Sequence, residues 1–138
     1  MQSTAQNPVL YPALAEILDA SKIRRATPYV HYDRHAQCLT IAETTAGVNM
    51  EELCTAVVDQ FKSDASELNK LKVEVQFNRL NTISSSLLFE VFKVLGKAAA
   101  MGKEVYVAWI TTYDNIEMIE TGMDFQDIYG LDFDFKTR

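Results

Sequence analysis

The chain has 138 residues, enough for one domain with a core and too few for two. Hydrophobic residues at 48% and charged residues at 23% describe a globular protein and argue against disorder. The formal net charge of −6 makes a nucleic-acid backbone a poor partner, and the only basic run is Lys22, Arg24 and Arg25.

Apolar runs are too short for a membrane span, and the first residues lack the basic and apolar regions of a secretory signal. The chain therefore reads as cytoplasmic, with no membrane insertion. Cys38 and Cys54 each sit in an apolar run and read as buried thiols rather than a disulfide framework.

In chain order, residues 1–8 are polar. Leu10, Leu14, Ile17 and Leu18 follow helical spacing and predict a short amphipathic helix within an N-terminal extension, residues 1–26. The remaining residues, 27–138, read as one domain. "PYVHYD" and "CLTIAE" are strand-like, and "DRHAQ" between them predicts a hairpin turn. Residues 49–62 predict a helix with Asn49 as its cap and a stripe of Met50, Leu53, Cys54, Val57, Val58 and Phe61.

"LKVEVQF" alternates strictly and predicts a strand with one covered and one wetter face. A helix follows from about Ile83 to Met101, ended by Gly102 in a left-handed turn. "EVYVAWI" predicts a central strand. A last helix, Asn115 to Asp127, is weakened by Gly122, and "LDFDF" predicts a closing strand. The result is a single-domain α/β fold with a mixed sheet and crossover helices.

Catalytic patterns are scarce. None of the 5 glycines falls in a phosphate-binding loop motif. His31 and His35 fall on a strand and its turn, where their spacing does not converge on a metal or serve a Ser-His-Asp triad. The acidic residues after position 110 read as a solvated surface, and Trp109 as a core aromatic. No catalytic residue, metal site or cofactor is assigned.

The informative stretch is "NRLNTISSSLLFEVFKVL". One hydroxyl or amide there, Thr82 or Asn81, explains a helix cap. Ser84, Ser85 and Ser86 exceed that need. A helix N-terminus also stabilises a phosphoryl group, so this position suits a reversible switch better than a nucleophile lacking a base. Ser85, Phe89, Phe92 and Gly96 form a ridge off the core stripe of Leu87, Leu88, Val91, Leu95 and Ala98. That ridge is a candidate docking surface, unless another element covers its two Phe rings.

"LNTIS" between strand and helix, the Gly102–Lys103 turn, the Trp-bearing strand and "EMIETGMDFQDIYGLDFDF" together resemble the SiaC family of regulatory phosphoproteins. The opening "TPYVHYDRHAQCLTIA" is similar to the first hairpin of that family, and the likeness runs from about Thr27 to Phe135. It implies a fold like STAS (anti-anti-sigma) domains, with helices mainly on one sheet face.

It also implies a non-enzymatic regulator. A Ser/Thr kinase would phosphorylate Thr82 and a PP2C-type phosphatase would reverse it. The unphosphorylated form would bind and activate a GGDEF diguanylate cyclase, raising cyclic-di-GMP and favouring biofilm. Asn81, Ser84 and Ser85 would shape the loop, and Phe89, Phe92 and Gly96 would meet the partner. Two departures stand out: Ile83 follows the Thr, and "AETTAGVN" replaces the usual loop after the second strand. A STAS-like module with a different partner is the alternative, followed by a structural binding domain with no switch and then by a small-molecule enzyme joining a His to acidic residues. The residues leave a homodimer open.

Overall fold

A computed structural model describes residues 28–43 and 51–138. The predicted N-terminal helix and the Asn49 cap lie outside these residues, as do the side chains of Met50 and Leu53.

Strands β1 (Tyr29–Asp33) and β2 (Cys38–Ala42) form the predicted hairpin, pairing antiparallel from Tyr29↔Ala42 to Asp33↔Cys38. Its turn is set by Asp33, whose carboxylate accepts the backbone N–H groups of His35 (3.0 Å) and Ala36 (3.2 Å). Gln37 closes the turn at φ 56°. Helix α1 (Glu51–Ala65), β3 (Lys70–Gln76), α2 (Thr82–Ala100), β4 (Glu104–Thr111), α3 (Ile116–Tyr129) and β5 (Phe133–Thr137) follow.

The five strands lie in sequence order, and every pair after the hairpin is parallel. Successive right-handed crossovers stepping in one direction place all three helices on the same sheet face. Alternation along the strands then divides the residues. Leu39, Ile41, Leu71, Val73, Val75, Val107 and Trp109 point into the helix layer and are buried to 2% exposure or less. Lys72, Glu74, Tyr106, Asp134 and Lys136 line the open face, where Lys72 and Lys136 stand over the Tyr106 ring.

Gly102 takes the left-handed conformation after α2, at φ 85°, as its position predicts. The next residue, Lys103, donates from Nζ to the carbonyls of Ala65 (2.7 Å) and Ser66 (3.0 Å). A cation thus meets the negative end of α1 and ties it to the start of β4.

Gly122 corrects the sequence reading. It does not weaken α3, which continues to Tyr129 and ends at Gly130 in a left-handed cap. A Cβ at position 122 would stand 2.7 Å from the Trp109 indole and 2.8 Å from the Phe135 ring. The helix accepts the local cost of Gly because only a bare Cα lets it lie on β4 and β5. Trp109 is indeed a core aromatic, its Nε1–H donating to the Met118 carbonyl at 2.9 Å.

Candidate functional site

The site is the loop from β3 into α2. Asn81, in extended conformation, is the N-cap of α2. Its Oδ1 accepts the Ser84 N–H at 2.8 Å, and its own N–H donates to Ser84 Oγ at 2.9 Å. This is a reciprocal capping box with Ser in the position usually held by Glu or Gln. Ser84 is buried at 2% exposure, so it shapes the turn and is closed to modifying enzymes.

Because Asn81 is the cap, Thr82 is left with no structural task. It is the first residue of α2, exposed, and its side chain makes no hydrogen bond among the described residues. Its hydroxyl stands at the positive end of a 19-residue helix whose first turn carries no acidic residue. Ser85 is half-buried and Ser86 exposed one turn after Thr82.

The loop before the cap is anchored from three directions, all through Asn78. Its N–H donates to Glu43 Oε1 at the end of β2 (2.8 Å), and its carbonyl accepts from Asn115 Nδ2 (2.8 Å). Its side-chain oxygen accepts from the Arg138 guanidinium. One residue earlier, the Phe77 carbonyl accepts from the buried Thr111 hydroxyl at 3.2 Å. Asn115 has a second task, because its Oδ1 caps α3 by accepting the Met118 N–H at 3.2 Å. One amide side chain therefore couples the start of α3 to the loop that starts α2. The sequence reading missed Asn78, Glu43, Asn115 and Arg138. Asn115 carried a signal as an Asn before a helical run; the others did not, because their partners are 35 or more residues away.

The predicted docking ridge divides. Phe89 is 46% exposed, with its ring edge against Phe125 (5.0 Å between centroids) and Tyr129 (6.5 Å). Thr82, Ser86, Phe89 and Lys93 recur at four, three and four residues and share the solvent face of α2. Phe92 is fully buried among Trp109, Phe125, Tyr129 and Phe133 and cannot touch a partner. The α3 layer covers it, which a helical wheel of α2 alone cannot display. Gly96 allows a close approach, but by α3: a Cβ there would stand 3.2 Å from the Tyr129 carbonyl oxygen. Phe92 is corrected from a partner contact to a core position, whereas Gly96 is half-buried beside α3.

The nearest approach to an enzyme-like cluster lies on the hairpin side. A cavity of about 590 Å³ is lined by Tyr32, Arg34, His35, Asp64, Glu67 and Leu68. Asp64 accepts from Tyr32 Oη (2.8 Å), Arg34 Nε (3.0 Å) and Gln60 Nε2 (3.0 Å). The Tyr32 hydrogen bond, with help from Arg34 and Gln60, holds the Asp64 carboxyl below its usual range. Burial, reinforced by the Asp64 charge, pushes the Tyr32 phenol up to about 12. A carboxylate with its oxygens so occupied clamps the hairpin to α1 and is poorly placed to take a proton. Burial also pushes the Cys38 thiol up, away from a reactive thiolate. Among the described residues no group of His, Cys, Asp and Glu is arranged to hold a metal ion, and no helix is long and apolar enough to cross a membrane.

The fold and site define a class: an α/β binding module with an exposed hydroxyl on a pre-capped helix N-terminus and an aromatic on the same helix face. The model of the SiaC family of regulatory phosphoproteins matches residues 20–138. The chain belongs to that family. Among solved structures it is similar to SiaC of Pseudomonas aeruginosa in complex with the diguanylate cyclase SiaD, which that SiaC activates, at TM-score 0.69 and 20% identity. That match covers 83% of this chain and 94% of that one. Apo-SiaC of the same organism matches at TM-score 0.62 and 22% identity, covering 83% of this chain and 92% of that one. A comparison with curated protein sequences gave no match.

Proposed function

We propose that this chain is a non-catalytic partner switch. In this reading its unphosphorylated form binds and activates a diguanylate cyclase, and phosphorylation of Thr82 by a Ser/Thr kinase releases it. A PP2C-type phosphatase restores the binding form. The observation that carries the reading is the division of labour at the start of α2. Asn81 and Ser84 complete the cap, so the exposed Thr82 hydroxyl is free for chemistry that leaves the fold intact.

A phosphate on Thr82 would sit at the helix N-terminus, where a negative charge is favoured by about 0.3–1 kcal/mol at an exposed site. The modification would therefore not unfold α2. It would add close to two negative charges on the face that also carries Phe89, roughly 10 Å further along the helix axis at 1.5 Å per residue. A partner packing its own apolar surface on Phe89 would have to desolvate those charges, which opposes binding.

The test uses purified chain, a diguanylate cyclase encoded in the same genome and its candidate kinase. Wild type and Thr82→Ala should both raise cyclic-di-GMP synthesis. Kinase-treated wild type and Thr82→Asp should not, and mass spectrometry should place the phosphate on Thr82. Cyclase activation that survives full phosphorylation of Thr82 would overturn the switch.

A further inference from the structure

Residues 78–80, between β3 and α2, carry no backbone-to-backbone hydrogen bond among the described residues. A loop without a ladder of its own holds one pose through side chains. Among the described residues these come from Glu43, Arg138 and Asn115, each bound to Asn78. Glu43 and Arg138 are long and exposed, and such side chains lose much rotamer freedom when they are held. Asn115 is short and half-buried, and its own backbone is fixed. Its N–H donates to the Thr112 carbonyl (3.1 Å), and its carbonyl accepts the Ile119 N–H (3.1 Å). It is the stiffest of these anchors.

The chemistry at position 115 also exceeds what a cap needs. Ser, Thr or Asp would accept the Met118 N–H as a cap. Only an amide presents an acceptor and a separate N–H donor on one planar group. Asn115 uses both, Oδ1 on the Met118 N–H at 3.2 Å and Nδ2 on the Asn78 carbonyl at 2.8 Å. From Asn78 the chain runs through Arg79 and the half-buried Leu80 to the Asn81 cap, so Thr82 follows a segment fixed at both ends.

We infer that Asn115 is a positioning residue for the modification of Thr82: its amide fixes the β3–α2 loop in the pose on which a kinase docks. The inference rests on the partner-switch reading, and it assigns a residue at the start of α3 that acts through Asn78. A kinase that binds a folded substrate meets this loop already ordered, so little freedom is lost on binding. Releasing the Asn78 carbonyl returns that freedom to the unbound chain and weakens docking. The transfer step follows once Thr82 is seated, and it does not depend on the tie.

Steady-state phosphorylation of the full chain, with the kinase that modifies Thr82, tests this on Asn115→Ser and Asn115→Asp. Both variants keep an oxygen for the Met118 N–H and lose the amide donor. KM should rise about two- to tenfold in both, the range that one net hydrogen bond supplies, with kcat unchanged. Amide exchange read by NMR should be faster at Asn78 and Asn81 and unchanged at Met118. Agreement between the variants separates the lost donor from the charge that Asp adds. The inference is overturned if KM keeps its wild-type value in either variant, if kcat falls instead, or if the loop amides exchange at the wild-type rate. It is equally overturned if exchange at Met118 rises with that of the loop, because Asn115 would then be only the cap of α3. Those results leave the switch standing, since wild type still takes its phosphate on Thr82. A wild type that takes none there refutes the switch itself, and this inference with it.

Discussion

Replacing Ser84 and Thr82 one at a time separates a helix cap from a phosphate acceptor. In Ser84→Ala, the half-buried Asn81 N–H loses its 2.9 Å acceptor, and Asn81 Oδ1 loses the hydroxyl that donates to it at 2.9 Å. The Asn81 Oδ1 bond to the backbone N–H of residue 84 survives. Loss of half a capping box costs about 1–2 kcal/mol. Ala is a better helix former than Ser by about 0.5 kcal/mol, which leaves a net loss of about 1 kcal/mol.

In Thr82→Ala no hydrogen bond is lost among the described residues, and the helix propensity gain of about 0.5 kcal/mol remains. That variant should match or slightly exceed wild type. Urea denaturation followed by the fluorescence of the single Trp, Trp109, measures both. Kinase treatment and mass spectrometry complete the comparison: Ser84→Ala should keep the phosphate on Thr82, and Thr82→Ala should lose it. A Thr82→Ala protein less stable than wild type by about 1 kcal/mol or more would make Thr82 part of the cap. The argument from a spare hydroxyl would then fail.

Other outcomes follow from the packing and the hairpin clamp. Gly122→Ala should destabilise the protein by about 1–3 kcal/mol in urea, the overpacking cost against Trp109 and Phe135 outweighing the helical gain; an unchanged midpoint would mean that α3 can lift off the sheet. Phe92→Ala should cost about 3–5 kcal/mol, whereas Phe89→Ala, half exposed, should cost much less and weaken the proposed binding to a cyclase; calorimetry and a pull-down on the two variants check this pair. Asp64 has a depressed carboxyl, so its contribution to stability is present above its ordinary pKa of about 4 and is lost as pH falls through the lower folded value. Acid denaturation of Asp64→Asn against wild type should therefore show a stability gap at neutral pH that closes at low pH. Tyr32 behaves in the opposite sense: its raised pKa adds stability that is whole below the ordinary phenol value and fades as pH rises through about 12. An ultraviolet titration of wild type minus Tyr32→Phe should place that phenol near 12.

Much of this architecture was legible in local pattern. Strict alternation in "LKVEVQF" and the helical stripes on either side of it require only the periods of strand and helix, which neighbouring residues supply by themselves. The order of elements then implied a mixed sheet with crossovers. The hydroxyl cluster stood out for the same local reason, because Ser84, Ser85 and Ser86 exceed what a cap needs; Thr82 was singled out by the family resemblance, carried by short motifs in sequence order. What local pattern could not supply was the identity of each covering surface. Phe89 and Phe92 differ by three positions on one helix, yet one is half exposed and the other fully buried. Both rings meet Phe125 and Tyr129 of α3; the difference is made by Trp109 and Phe133 of the sheet, which pack on the Phe92 ring.

Gly122 makes the same point in reverse. Its intrinsic propensity says helix breaker, and the indole of Trp109 beneath it says that nothing larger fits. The choice between Asn81 and Thr82 as cap needed backbone geometry, and the tying of Asn78 to Glu43, Asn115 and Arg138 needed strands that meet only in the folded sheet. The sequence by itself determined the elements and their order, because those depend on near neighbours. The tertiary structure alone decided which apolar side chains are core and which stay exposed, because burial is a property of the surfaces that the sheet and helices bring together.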